Sequence, residues 1–198
     1  MDDFVKWVAP VAGAVLGSGF TQFVTWRLSK ATLQKEGQIT ALLLALTLEE
    51  YASRCASYVI ENENLADRGA DPDQAHTNMP VLSDFSEKTN WRSLGASLTE
   101  KVLQIKVHIA NASNEISGDW EMGGNITAAD TTGAKCLEVG VQALNTAEDL
   151  RRAFRLNAMQ MTGEWSLRDY LHKGLAAQEA RKAALRKRLE SSPDEFGD

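Results

Sequence analysis

The sequence predicts an all-α protein: one N-terminal transmembrane helix followed by an antiparallel up-down four-helix bundle. Three observations carry that expectation. Ala and Leu dominate the apolar residues while aromatics make up 7% of the chain, a balance that favours helices over a β-sandwich. Only four prolines occur, Pro10, Pro72, Pro80 and Pro193, so long stretches are free of helix breakers. Apolar residues recur at spacings of three and four through most of the chain, which marks helices that bury one stripe. The 198 residues suffice for one core of ordinary size, and 43% hydrophobic with 24% charged residues is the balance of a folded chain.

The N-terminal segment is the most apolar. From Phe4 to Trp26 the only charge is Lys6. The 20 residues from Trp7 to Trp26 would form a helix of about 30 Å, the thickness of a hydrocarbon core. Tryptophans stand at both ends, where that side chain settles at headgroup level, and Pro10 falls in the first turn, where its missing N–H costs nothing. A cleaved signal peptide would need a basic start, but the chain opens Met1-Asp2-Asp3. An interfacial helix would carry its apolar residues on one face, and here they surround the segment. Arg27, Lys30 and Lys35 follow the span, so the positive-inside tendency places the N-terminus outside the inner membrane and the rest in the cytoplasm. Ala9, Gly13 and Gly17 recur every fourth residue, and such small-residue spacing lets two helices approach closely, predicting a homodimer in the membrane. The domain layout expected is an anchor over 1–30, a cytoplasmic bundle over 31–190, and a disordered acidic tail over 191–198.

In the bundle, Leu44, Leu48, Tyr51, Cys55 and Val59 place a stripe on a first helix over roughly 31–65. Its run Ile39 to Leu48 is apolar on all sides but too short for a second span, which suits a central helix. Residues 66–90 lack periodicity and read as a long loop, tacked down by Val81, Leu82 and Phe85. Asn90 is a candidate N-cap for a helix starting at Trp91, with the stripe Leu94, Leu98, Val102, Ile105, Ile109, Ala112 and Ile116. Gly123-Gly124-Asn125 reads as a turn, and Thr127-Ala-Ala-Asp130 as a capping box opening a third helix to about Met159. Its stripe is Leu137, Val141, Leu144, Ala147, Leu150 and Phe154. A last helix over 164–189 carries Leu171, Leu175, Leu185 and Leu189.

Four helices of similar length with alternating direction would return the end of the last one to the membrane. That end holds Arg181, Lys182, Arg186, Lys187 and Arg188, which would meet an anionic leaflet. The same cations also complement a helix dipole.

Chemistry is sparse. A carboxylate-bridged metal site in a bundle needs inward Glu residues and two Glu-x-x-His pairs, whereas the chain offers only Asp169-x-x-His172, with His76 and His108 isolated. Cys55 and Cys136 fall on apolar stripes, where thiols are inert and reduced. Of Glu49 and Glu50, one at least should be solvated at the core edge. There is no Gly-rich phosphate loop and no internal repeat. Trp91, Trp120 and Trp165 stand near helix boundaries, where they would cover the ends of the core. The net charge of −6 argues against nucleic acid. No catalytic residue, cofactor or metal is expected. The leading expectation is a non-enzymatic, membrane-anchored interaction or scaffold protein with an unidentified protein partner. The competing ones are a soluble five-helix protein with 4–26 in its core, a metal enzyme, and a membrane-perturbing effector of phage or toxin type.

Overall fold

The computed structural model describes residues 2–87, 89–159 and 165–191, with side chains described from residue 33 to residue 188 within that range. The chain is all-helical, with no strand among the described residues: α1 (Asp2–Asp67), α2 (Ala96–Ala153) and α3 (Leu167–Ser191), plus 3₁₀ turns at Pro72–Gln74 and Trp91–Ser93. Among the described residues the α-helices number three, where an anchor and four bundle helices were expected.

Two corrections account for that difference. The expected boundary near residue 30 does not break the chain, because α1 continues through it for 66 residues, roughly 100 Å. The second concerns the helix count only: the expected turn at Gly123-Gly124-Asn125 is there, and the chain reverses at Gly124, but the two helices it joins follow each other so closely that they count as one element, α2. Helical hydrogen bonding flanks the turn on both sides, and only Gly124 leaves helical geometry, at φ 69° and ψ −162°. The two arms of α2 then lie side by side in opposite directions. Lys101 meets Asp149 at 2.6 Å, His108 meets Gln142, Glu115 meets Lys135 at 2.6 Å, and Asp119 meets Thr131 at 2.5 Å. No capping box opens the second arm. Thr127 donates its hydroxyl to the carbonyl of Gly123 instead.

The direction of the elements also differs from a simple alternation. The second arm of α2 runs antiparallel to α1, through Glu49–Arg151, the approach of Cys55 to Gly140, and Asn62 to the Ala129 carbonyl. The first arm is therefore parallel to α1. Between them residues 68–95 return along the whole bundle as a strap. Asn62 clasps the backbone of His76 with two hydrogen bonds of 2.8 and 3.0 Å, and the His76 ring stacks on Tyr58 at 3.7 Å. Arg54 then donates to the Val81 carbonyl, Lys106 pairs with Asp84, and Asn90 donates to Glu36. Met79, Pro80, Leu82 and Phe85 tack the strap to the core, whereas Val81 is exposed. Asn90 stands at the N-cap position of the 3₁₀ turn Trp91–Ser93 without a side-chain cap bond, and α2 begins after Gly95 rather than at Trp91.

α3 runs antiparallel to the second arm, with Arg168 on Glu148, Leu171 against Gly140 and Gly174 against Leu137. Hence α3 is parallel to α1, and its C-terminal end points away from the start of α1. The alternation that would have brought Arg181, Lys182, Arg186, Lys187 and Arg188 back to the N-terminal segment does not hold.

Among the described residues no helix is long and apolar enough to cross a membrane, so the structure gives the expected span no support. Trp7, Pro10 and Trp26, with the small-residue face Ala9, Gly13 and Gly17, lie outside the residues whose side chains are described. The tail beyond Ser191 lies outside the described residues too.

The core follows the sequence stripes. Leu44, Leu48, Tyr51, Cys55 and Val59 of α1 meet Val102, Ile105, Ala112 and Ile116 of the first arm and Leu137, Val141, Leu144, Ala147 and Leu150 of the second, all buried. Leu171 of α3 is buried and Leu175 half-buried, but Leu185 is exposed. Trp91 packs on the core, while Trp120 and Trp165 stand about half exposed.

Candidate interaction surfaces

Three polar clusters lie within the bundle, and each does structural work. Cys55 of α1 and Cys136 of α2 face each other, both free and fully buried. The Cys136 thiol is held above its ordinary range, first by its hydrogen bond to the Cys55 thiol and then by burial. A protonated, sealed thiol is a poor nucleophile. Tyr51 lies beside them, its acidity suppressed by burial first and by Cys55 second, and its Oη meets no partner at hydrogen-bonding geometry. The second cluster is the buried pair of Glu49 with Arg151; Glu50 beside it is exposed and holds Arg54 at 2.5 Å. The Arg151 guanidinium is held further above its ordinary range by its bond to Glu49. The third is the His76, Glu61 and Asn62 clasp on the strap. Among the described residues no group of three His, Cys, Asp or Glu could hold a metal ion, and His172 gains no ligand partner.

Two of the hollows formed by the described residues are large. A groove of about 750 Å³ lies where the end of α1, the 3₁₀ turn, the second arm of α2 and α3 converge. Val59 and Leu137 form its floor, and Ala66, Pro72, Ile126 and Ala177 its apolar walls. At its mouth Tyr170 donates to Glu63 at 3.4 Å, and its hydroxyl is pushed up to about 12 by burial and by the Glu63 carboxylate. A smaller hollow of about 680 Å³ lies over the Glu49–Arg151 pair, beside Met159 and Trp165.

The uncovered surface is more distinctive. Ile39, Leu42, Leu43 and Leu46 are 38–62% exposed and share the outer face of α1, opposite Ala41, Ala45 and Leu48. The run Ile39 to Leu48 was expected to be enclosed, as suits a central helix. In the structure its inner half is core and its outer half meets solvent. Its all-round apolarity was the signal for this second face, because a helix packed on one side needs no leucines on the other. A second apolar cluster marks the fold of α2, where Trp120, Met122 and Ile126 are 55–84% exposed. Sequence reasoning placed Ile39 to Leu48 in a central helix and Trp120 over an end of the core, and gave Met122 and Ile126 no role. The basic end of α3 is exposed over residues 179–188, its five cations Arg181, Lys182, Arg186, Lys187 and Arg188 included.

No family model matches the chain, and no curated protein and no solved structure matches it.

Proposed function

We propose that this chain is a non-enzymatic helical interaction or scaffold module. The observation that carries the reading is the outer face of α1, where Ile39, Leu42, Leu43 and Leu46 remain uncovered by the strap, α2 and α3. Soluble proteins rarely leave several large apolar side chains adjacent on one helix face unless something binds there. The face lies on the regular helix α1, packed into the core on its opposite side through Ala41, Leu44, Ala45 and Leu48, so binding would cost little ordering entropy. The test is site-specific photocrosslinking in cells, with the photoreactive residue placed at Leu43 or at Met122 of the full chain. Adducts of defined mass at Leu43 are expected. Absence of adducts at both positions would overturn the reading.

A second reading adds a tether to the inner membrane, with the N-terminus outside and the bundle in the cytoplasm. The segment Trp7 to Trp26 supports it, by its length and its bounding tryptophans. Alkaline extraction of membranes tests it: full-length protein released to the supernatant would remove the tether.

A further inference from the structure

We infer that the outer face of α1 binds the same face of a second copy of this chain, with the two helices antiparallel. The inference rests on the interaction reading and names its partner. The face is self-complementary about one point, between Leu42 and Leu43. Ile39 and Leu46 are equidistant in sequence from that point, and so are Lys35 and Glu50. All six residues are exposed on α1. A two-fold axis there sets Leu42 beside the other copy's Leu43, Ile39 beside its Leu46, and Lys35 beside its Glu50. Each of these contacts then occurs twice, as an isologous interface requires.

Charge selects this orientation over the parallel one. Parallel pairing would bring Lys35 to Lys35 and Glu50 to Glu50 across the axis, whereas antiparallel pairing joins opposite charges at both ends of the apolar patch. Lys35 has no partner among the described residues, and Glu50 reaches only the exposed Arg54 on its own helix. Gly37, Thr40, Ala41, Ala45 and Leu48 point inward, so the contact needs no repacking of the bundle.

The geometry has a consequence for the N-terminal segments. Antiparallel helices send the two starts of α1 to opposite ends of the pair. Two chains anchored side by side in one bilayer would instead pair in parallel.

The test uses the full chain, with each substituted residue on the exposed face so that folding is preserved. Ile39→Cys carrying one tag is mixed with Leu46→Cys carrying another, and a short bismaleimide is added; Cys55 and Cys136 are buried and do not report. Crosslinks in the mixture, with few in Ile39→Cys alone, are the expected result. Crosslinks confined to Ile39→Cys alone would overturn the antiparallel arrangement, and no crosslink in either would overturn self-association. Sedimentation equilibrium gives the second measurement. Lys35→Glu should weaken the dimer about fivefold or more, and Lys35→Glu with Glu50→Lys should recover it, since opposite charges again meet. Failure to recover would count against the pairing. Adducts at Leu43 with a different protein, without any self-crosslink, would overturn this inference and leave the interaction reading standing.

Discussion

Glu49 and Arg151 form a bidentate ion pair that joins the middle of α1 to the end of α2. Nε donates to Oε1 at 2.6 Å and Nη2 donates to Oε2 at 2.8 Å, with the Glu49 side chain only 4% exposed. The remaining nitrogen is used as well, since Nη1 donates to the Asn157 carbonyl at 2.7 Å and fixes the chain leaving α2. Two parallel charge-assisted bonds of this kind are the strongest polar contact a guanidinium makes with a carboxylate. The pair marks a register: it fixes which turn of α1 lies beside the end of α2.

Removing one partner of a buried pair leaves the other charge uncompensated. Arg151→Met is expected to cost about 3–5 kcal/mol of unfolding free energy. Glu49→Leu combined with Arg151→Met should recover at least half of that loss, because no orphaned charge then remains. Denaturant unfolding of the two variants checks the order. A double variant no more stable than Arg151→Met would show that the pair's stability lies in Asn157 and not in the ion pair.

Gly124 sets the fold of α2. Its φ of 69° with ψ of −162° lies in a region open essentially to glycine. A Cβ there would meet no atom within 4 Å, so the cost of substitution is conformational rather than steric. Gly124→Ala is expected to destabilise by about 1–3 kcal/mol. The neighbouring helical position Gly118, also open around its Cβ, is the control, where Ala should be neutral or stabilising. Equal losses at both positions would mean that the fold does not depend on the Gly124 backbone.

The two long helices end in the same way with different residues. After α1, Gly69 sits at φ 62°, and the amides of Gly69 and Ala70 return to the carbonyls of Ala66 and Leu65. After α2, Arg155 sits at φ 54°, and the amides of Arg155 and Leu156 return to Arg152 and Arg151. This double bond closes a helix best when glycine holds the left-handed position. Arg155→Gly is expected to raise stability by about 0.5–1 kcal/mol, read as a higher melting temperature. A lower melting temperature would show that the Arg155 side chain contributes more than its backbone strain costs.

These elements show what could be read from the residues and what could not. The stripes of α1 and both arms of α2 were legible, since each is a local period, and Leu44, Leu48, Tyr51, Cys55 and Val59 lie buried as their spacing implies. Element direction was not legible. It depends on the strap, and the contacts that pull the strap back along α1 join Asn62 to His76 and Asn90 to Glu36, residues distant in sequence and unremarkable in type. The stop at Arg155 was hidden for a related reason, because no glycine or proline marks it. Of the candidate surface, the apolar character of Ile39 to Leu46 was plain, but its exposure followed only once the strap and α2 were seen to cover the other side. The end of Glu49 was foreseeable as a core edge, whereas its partner Arg151 lies 102 positions away.

Tyr51 carries a buried hydroxyl that meets no hydrogen-bonding partner, against the thiols of Cys55 and Cys136. An unpaired hydroxyl in the core costs free energy that phenylalanine would not. Tyr51→Phe keeps the ring, which is 1% exposed, and is expected to raise unfolding free energy by about 1 kcal/mol. Loss of stability would reveal a genuine bond from Oη to a thiol.

Tyr170 links stability to alkaline pH. Its hydroxyl is pushed from 10.0 up to about 12, first by burial and then by the Glu63 carboxylate it faces at the mouth of the groove. The folded chain therefore favours the neutral phenol more than the unfolded chain does. The sign follows by linkage: this contribution is complete below pH 10 and is lost as pH rises through 12, because the unfolded chain releases its proton first. Between these limits the melting temperature should fall more steeply in the wild type than in Tyr170→Phe, which has no phenol to ionise. Glu63→Gln removes the like charge and should bring the Tyr170 titration down toward 10, measured as the tyrosinate absorbance lost in Tyr170→Phe. Identical slopes for wild type and Tyr170→Phe would place the phenol in solvent and out of reach of Glu63.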